Sequence, residues 1–145
     1  MRHLVVVLSM ALAVSVVTAQ AHVRVQPAES QPGAKQVYTV RVPTEGKVAT
    51  TSVVVEVPDG VSVVSAEGQP ELTKRSGKTV AITWTTEIPP GQSQLFTFEA
   101  MNPVAVRQLV WKAHQHYADG TSRDWADEPT SKSPASVTRL GGGAN

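Results

Sequence analysis

His22 stands at the boundary between an apolar leader and the first alternating segment, in the stretch TAQAHVRVQP. Cleavage after Ala21 would make His22 the first residue of the exported chain. A free N-terminal histidine offers its α-amine and an imidazole nitrogen to one metal ion, and the two donors close a small chelate ring. Two nitrogen donors in tetragonal geometry favour Cu(II), which binds most tightly among the first-row divalent ions. The position of His22 therefore predicts a copper site that forms only after cleavage.

Residues 1–21 have the features of a secretory signal peptide, which are a basic start, an apolar core and a small-residue triplet before the cut. The apolar run from Leu4 to Val17 is interrupted only by two serines. A transmembrane anchor is the alternative, but this run is shorter than the roughly 20 residues that a spanning helix needs. Cleavage after Ala19 would instead place Gln20 first, and the proposed metal site would not form. We expect an exported protein of the periplasm, cell envelope or medium.

The composition excludes several classes of protein. Thirteen basic side chains, including Arg2 in the leader, face twelve acidic ones, so the exported chain has a net charge near zero. Nucleic-acid and membrane-surface binders need a basic patch, and we therefore expect no nucleic-acid partner. Cysteine is absent, so the fold has no disulfides and any metal is bound without thiolates. A chain of 145 residues suits one domain with one core.

Short alternating runs rich in valine, threonine and aromatic residues follow His22, and proline and glycine signals separate them. They include QVYTVRV, TTSVVVEVP, KTVAITWT, SQLFTFEA and QLVWKAHQHY. Because no helical period lies between them, the pattern predicts an all-β fold, a single antiparallel β-sandwich of immunoglobulin or fibronectin-III-like shape. We expect this domain to cover residues 22–130. Residues 131–145 lack an apolar period and are predicted to be a disordered tail.

Antiparallel pairing of the first two strands would bring a carboxylate to His22. If strands 22–26 and 36–43 pair across a turn near Gly33, opposing residue numbers sum to about 67, and His22 lies near Glu45. A carboxylate there would supply a third ligand and balance the charge of the cation. The alternative interpretation of Glu45 is an ordinary solvated loop residue.

His114 and His116 are two residues apart, so they share one face of a strand, and the other face is predicted to meet the core. They could form a surface metal pair, or they could be two solvated histidines. If Asp119-Gly120 is a two-residue turn, His114 lies opposite Trp125 and approaches the metal through it. A shift of one residue in this register would reverse the face.

These segments resemble, in order, the YcnI-like copper-binding proteins of bacteria. The resemblance rests on AHVRVQPAESQPGAKQVYTVRVPTE, TTSVVVEVPDGV and KAHQHYADGTSRDW, and it spans Ala21 to Trp125. It implies an immunoglobulin-like sandwich with a Cu(II) site built on a single-histidine brace. Carried over by motif, the site falls on His22 and Trp125, with Glu45 as the carboxylate and Glu56 as the reserve choice. One departure is EGQPEL, which lacks the tryptophan that family members commonly carry there.

Trp125 cannot be an ordinary nitrogen ligand, because a neutral indole nitrogen carries its proton. Beside a metal it could form a hydrophobic wall or a cation–π contact. Ordinary packing at a sheet edge is the alternative.

Three functions remain open from the sequence. The first is an exported Cu(II)-binding protein without catalytic activity, a metallochaperone of the cell envelope whose partners would be a membrane copper transporter or another copper protein. The second is a copper-dependent oxygenase similar to the polysaccharide monooxygenases, which would need His114 or His116 as a second brace histidine. The third is a metal-free protein-interaction module in which His22 is incidental.

Overall fold

A computed structural model describes residues 22–141 of the chain. Residues 1–21, where the sequence predicts a signal peptide, and residues 142–145 of the predicted tail lie outside the described part. All regular structure between residues 22 and 141 is β-strand, and no helix in this range is long and apolar enough to cross a membrane. The predicted all-β class is confirmed.

The described residues form three sheets. The four-stranded sheet has the order β1-β3-β8-β5, the five-stranded sheet β11-β10-β4-β7-β6, and the small sheet β2-β12-β9. The strands are β1 (Arg24–Gln26), β2 (Glu29–Ser30), β3 (Lys35–Pro43), β4 (Thr50–Glu56), β5 (Ser62–Ala66), β6 (Glu71–Arg75), β7 (Lys78–Ile88), β8 (Ser93–Met101), β9 (Gln108–Trp111), β10 (Ala113–Tyr117), β11 (Ser122–Trp125) and β12 (Ser136–Leu140).

Alternation along the strands produces the core, because every second side chain points to the same face of a sheet. Phe98 of β8 lies at its centre, with its ring centroid 5.3 Å from Tyr38 and 5.5 Å from Trp111. Trp84 of β7 packs on the same ring at 6.3 Å. Trp84 and Trp111 are both 1% exposed, so both tryptophans belong to the core.

The segment predicted as one strand from Gln108 to Tyr117 is divided at Lys112. Its first part, β9, joins the small sheet, and its second part, β10, joins the five-stranded sheet. The buried alternation continues through both parts, so the sequence pattern shows no break where the chain changes sheets. This division lets one segment connect two layers of the fold.

The predicted disordered tail is wrong for residues 136–140, which form β12 and extend the domain beyond residue 130. This strand pairs with β9 on one side and with β2 on the other. Only Thr138 and Leu140 are fully buried in it, and the Trp111 indole donates a hydrogen bond to the Thr138 hydroxyl at 3.1 Å. Because only two of its residues are fully buried, the strand has no clear apolar period in the sequence, and the prediction missed it.

Candidate metal centre

His22 and Trp125, which the sequence assigns to one site, are in contact. The His22 ring centroid lies 5.3 Å from that of Trp125, and the two ring planes make an angle of 52°. His22 is half-buried two residues before the start of β1, whereas Trp125, the last residue of β11, is 2% exposed. The first residue of the predicted exported chain is therefore packed against a fixed aromatic ring.

Glu45 lies in the exposed loop that follows β3. The antiparallel pairing of β1 and β3 is confirmed, but Val25 faces Val40, so the predicted register is wrong by two residues. Continued past the end of β1, this register would bring His22 level with Pro43 instead of Glu45. Glu45 nevertheless lines a pocket of about 230 Å³ to which Trp125 also contributes. Trp125 thus contacts His22 and shares a pocket lining with Glu45.

Three further carboxylates, those of Glu29, Asp127 and Glu128, line the same groove as His22 and are absent from the sequence-based site. His22 lines an open groove of about 890 Å³ that also contains Asp127 and Glu128. Both belong to the loop between β11 and β12, which is closed by hydrogen bonds from the Ala126 and Asp127 amides to the Ser133 carbonyl at 3.1 and 3.0 Å. The Asp-Glu pair shortly after Trp125 is the sequence signal that could have indicated them.

The predicted alignment of His114 with Trp125 is wrong by one residue. Ala113 faces Trp125, and His114 faces Asp124. The reason is the loop, which contains three residues and not two, with the Tyr117 amide donating to the Thr121 carbonyl at 2.9 Å. Gly120 takes the left-handed conformation that such a loop requires, with φ at +84°. His114 is therefore on the opposite face of the sheet from Trp125.

His114 bridges two carboxylates instead. Its Nδ1 lies 2.6 Å from Asp124 Oδ1, and its Nε2 lies 2.8 Å from Oε2 of Glu56, the reserve ligand. Burial by itself lowers the pKa of His114, but the hydrogen bonds to Asp124 and Glu56, together with their negative charges, raise it above its ordinary value. His116 is exposed on the same face. Neither strand histidine is brought to His22.

Trp125 is held in place by Gln115, a buried residue of β10. The indole Nε1–H donates to Gln115 Oε1 at 3.1 Å. The Gln115 amide nitrogen donates to the Pro43 carbonyl at 2.8 Å and to the Thr50 hydroxyl at 2.7 Å. Because the Pro43 carbonyl can only accept, the Gln115 amide has one possible orientation, with its oxygen toward Trp125.

The same chain of hydrogen bonds continues from Thr50 to Thr44 and the backbone of β7. The Thr44 hydroxyl donates to the Ile88 carbonyl at 3.0 Å, and it lies 2.7 Å from the Thr50 hydroxyl. A hydroxyl has one proton to donate, so Thr50 must be the donor to Thr44. Thr44 and Thr50 are at most 1% exposed, and the chain therefore runs without water from the indole to the β7 backbone.

Residues 71–140 match the sequence model of a family described as a domain of unknown function, DUF1775. The copper-binding protein CutI of Bacillus subtilis (strain 168) is 37% identical over 129 residues, which cover 84% of this chain. Residues 71–140 of this chain are therefore a DUF1775 domain. The chain spans 63% of the length of CutI. The DUF1775 match includes Gln115 and Trp125 but begins after His22 and Glu45.

A solved structure supports the fold of this chain. It is an uncharacterized protein from Nocardia farcinica with an immunoglobulin-like fold, and it superposes with a TM-score of 0.72 at 26% identity. The match covers 83% of this chain and 99% of the other. The predicted immunoglobulin-like sandwich and the predicted family resemblance are both confirmed.

Thr50→Val should loosen Trp125, because valine keeps the shape of threonine and removes the hydroxyl that links Gln115 to Thr44. We expect the free energy of unfolding in urea to fall by about 1–3 kcal/mol, and the indole N–H resonance of Trp125 to shift in an NMR spectrum. Thr50→Ser keeps the hydroxyl and should leave that resonance near its wild-type position. Identical indole resonances in the valine and serine variants would contradict this role.

His114→Gln should remove a pH-dependent part of the stability. Since folding raises the pKa of His114, its contribution is complete below the ordinary value of about 6.5 and disappears as the pH rises through the folded value. The loss of unfolding free energy in the variant should therefore be larger at acidic than at alkaline pH. Because both carboxylates are well exposed, we expect no more than about 1 kcal/mol.

The ring of His114 can be titrated directly by NMR. Asp124→Asn should lower its pKa, since the variant removes a charged partner and keeps the shape of the side chain. An unchanged titration in Asp124→Asn would show that the ion pair does not stabilise the charged ring.

Proposed function

We propose that this chain is an exported copper-binding protein that holds Cu(II) at His22, through the α-amine and the imidazole, beside Trp125. The observation that carries the proposal is the packing of the His22 ring, 5.3 Å from that of buried Trp125. A terminal residue is usually free to move, and ordering it on metal binding costs conformational entropy. His22 should lose less conformational entropy on metal binding, because its ring already packs against the buried Trp125 ring.

The side chains of the described residues do not form a metal site by themselves, which is consistent with a site that uses the α-amine of His22 as a ligand. Between residues 22 and 141, no group of three or more His, Cys, Asp and Glu side chains could hold a metal ion. His114 does not change this, because Glu56 and Asp124 meet different nitrogens of its ring and do not converge with it on one point. An α-amine has a pKa near 8, so losing its proton to bind copper at neutral pH costs little.

Trp125 would shield the metal and would not coordinate it. Its indole proton is already donated to Gln115 at 3.1 Å, so the ring nitrogen is not available to a cation. The ring itself remains, and it can exclude water from one side of the ion or attract it through the π-electrons. Exclusion of water strengthens the attraction between the ion and nearby carboxylates.

The comparisons support copper as the ligand. The relative from Bacillus subtilis is named a copper-binding protein and shares 37% identity with this chain. The open groove beside His22 and the small number of donors would suit a protein that receives and passes on an ion. We therefore propose copper handling in the cell envelope, with delivery to a membrane transporter or another copper protein.

We propose a carrier and not an enzyme. An oxygenase of the polysaccharide-monooxygenase type would need a second histidine at the brace. His114 lies on the face of the sheet away from Trp125 and is bound by Glu56 and Asp124. No contact of the described residues favours the oxygenase over the carrier.

The protein that begins at His22 should bind one equivalent of Cu(II) and give an axial electron paramagnetic resonance signal. Acetylation of its α-amine should weaken binding by about 100-fold or more, because it removes one of the two chelating donors. His22→Ala should have a similar effect through loss of the imidazole. Circular dichroism of each form checks that the fold is intact. Equal affinity in the free and acetylated proteins would overturn the brace.

The carboxylate ligand can be identified by a matched pair of substitutions. Glu45→Gln should weaken Cu(II) binding by about tenfold or more, because it removes a charged oxygen donor and keeps the size of the side chain. Glu128→Gln makes the same change in the groove that His22 lines and should leave the affinity close to that of the wild type. The opposite result would assign the ligand to the loop after β11.

A further inference from the structure

We propose that Arg123 lowers the affinity of the copper site through its positive charge and thereby keeps the bound ion transferable. This inference rests on the proposed function, because it concerns the same Cu(II) site. It assigns a role to a residue that belongs to neither the brace nor the carboxylate ligand.

Arg123 stacks on the same ring that contacts His22. Its guanidinium carbon lies 4.6 Å from the centroid of the Trp125 ring, as in a cation–π contact. Arg123 and Trp125 are two residues apart in β11, so their side chains leave the same face of the strand. Trp125 is thus already in contact with one cation before any metal binds.

Two hydrogen bonds keep Arg123 over the ring. Its Nε donates to the Ser133 hydroxyl at 3.1 Å, and its Nη2 donates to the Lys132 carbonyl at 3.4 Å. Both acceptors belong to the loop between β11 and β12. An arginine tied to a loop at one end and stacked on an aromatic ring cannot move far from a neighbouring ion without losing these contacts.

The separation between this charge and the metal is short enough to matter. Arg123 and His22 each lie within 5.3 Å of the centroid of one ring, so the guanidinium and the imidazole are at most about 10 Å apart, close to the Debye length at physiological salt. A guanidinium cannot lose its proton at any ordinary pH. It therefore repels a divalent ion at His22 under all conditions in which the protein is folded.

The pocket beside Trp125 has a balanced set of charges. Its charged lining residues are two acids, Glu45 and Asp119, and two bases, Lys47 and Arg123. Asp119 accepts hydrogen bonds from the Thr121 amide and hydroxyl, which lower the pKa of its carboxyl and keep it ionised at neutral pH. Neutralising Arg123 would leave this set with a net negative charge, which attracts a cation.

The test compares Cu(II) affinities of proteins beginning at His22, measured against a competing chelator at low salt. Arg123→Gln should bind about 3–10-fold more tightly than the wild type, as expected for one charge at this distance. It should also release copper more slowly to excess chelator. Arg123→Lys keeps the charge and should stay close to the wild type. The gain in Arg123→Gln should shrink toward zero near 1 M salt, where charges are screened.

Two controls separate a charge effect from other causes. Arg75→Gln makes the same change on β6, four strand spacings from β11, or about 19 Å, and should not alter the affinity. Ser133→Ala removes one of the two hydrogen bonds that hold Arg123 and keeps its charge, so it should tighten binding clearly less than Arg123→Gln does. Thermal unfolding of each variant shows that the fold is retained.

The outcomes distinguish this inference from the proposed function. If the wild type binds no Cu(II), both are overturned. If the wild type binds while Arg123→Gln binds equally or more weakly, only the role of Arg123 is overturned. The same holds if Arg75→Gln or Ser133→Ala tightens binding as much as Arg123→Gln, because the effect would then come from net charge or from loosening of the loop.

Discussion

The indole N–H of Trp125 must find a partner inside the sandwich, and Gln115 supplies it. Everything else at the candidate site depends on this bond. It fixes the Gln115 amide, which in turn fixes the Thr50 and Thr44 hydroxyls against the β7 backbone. A buried chain in which every donor has an acceptor specifies one arrangement of its members. Trp125 can therefore serve as a rigid surface for the His22 ring and for the guanidinium of Arg123.

The sequence was sufficient for the fold class, because burial on one face of a strand leaves a period of two that no helix shares. QVYTVRV and KTVAITWT appear in the structure as β3 and β7, in which buried residues alternate with more exposed ones. The sequence pattern is weak where burial is sparse. In β6 all five residues are exposed, and in β12 only two of five are fully buried. Backbone hydrogen bonds to neighbouring strands hold such strands in place. These bonds do not require an alternation of apolar and polar residues, so the sequence does not reveal the strands.

The site shows how unequal two errors of register can be. Pairing β1 with β3 two residues out of place kept each side chain on its correct face, and it changed only how far along the sheet Glu45 lies from His22. Placing β10 one residue out of place against β11 moved His114 to the wrong face. Loops of two and of three residues both use glycine at positive φ, so Asp119-Gly120 alone could not decide the loop length. The contact between His22 and Trp125 did not depend on this choice.

The contrast between His22 and His114 supports the proposal that His22, and not His114, binds the metal. Both nitrogens of His114 are taken by carboxylates, and a metal would have to displace Glu56 or Asp124 to reach either one. The ring of His22 instead packs on an indole whose only proton is committed elsewhere. In the proposed site, His22 supplies two nitrogen donors, and few other protein atoms would bind the ion. The affinity of the site then depends strongly on the charges within one Debye length, and those charges meet around Trp125.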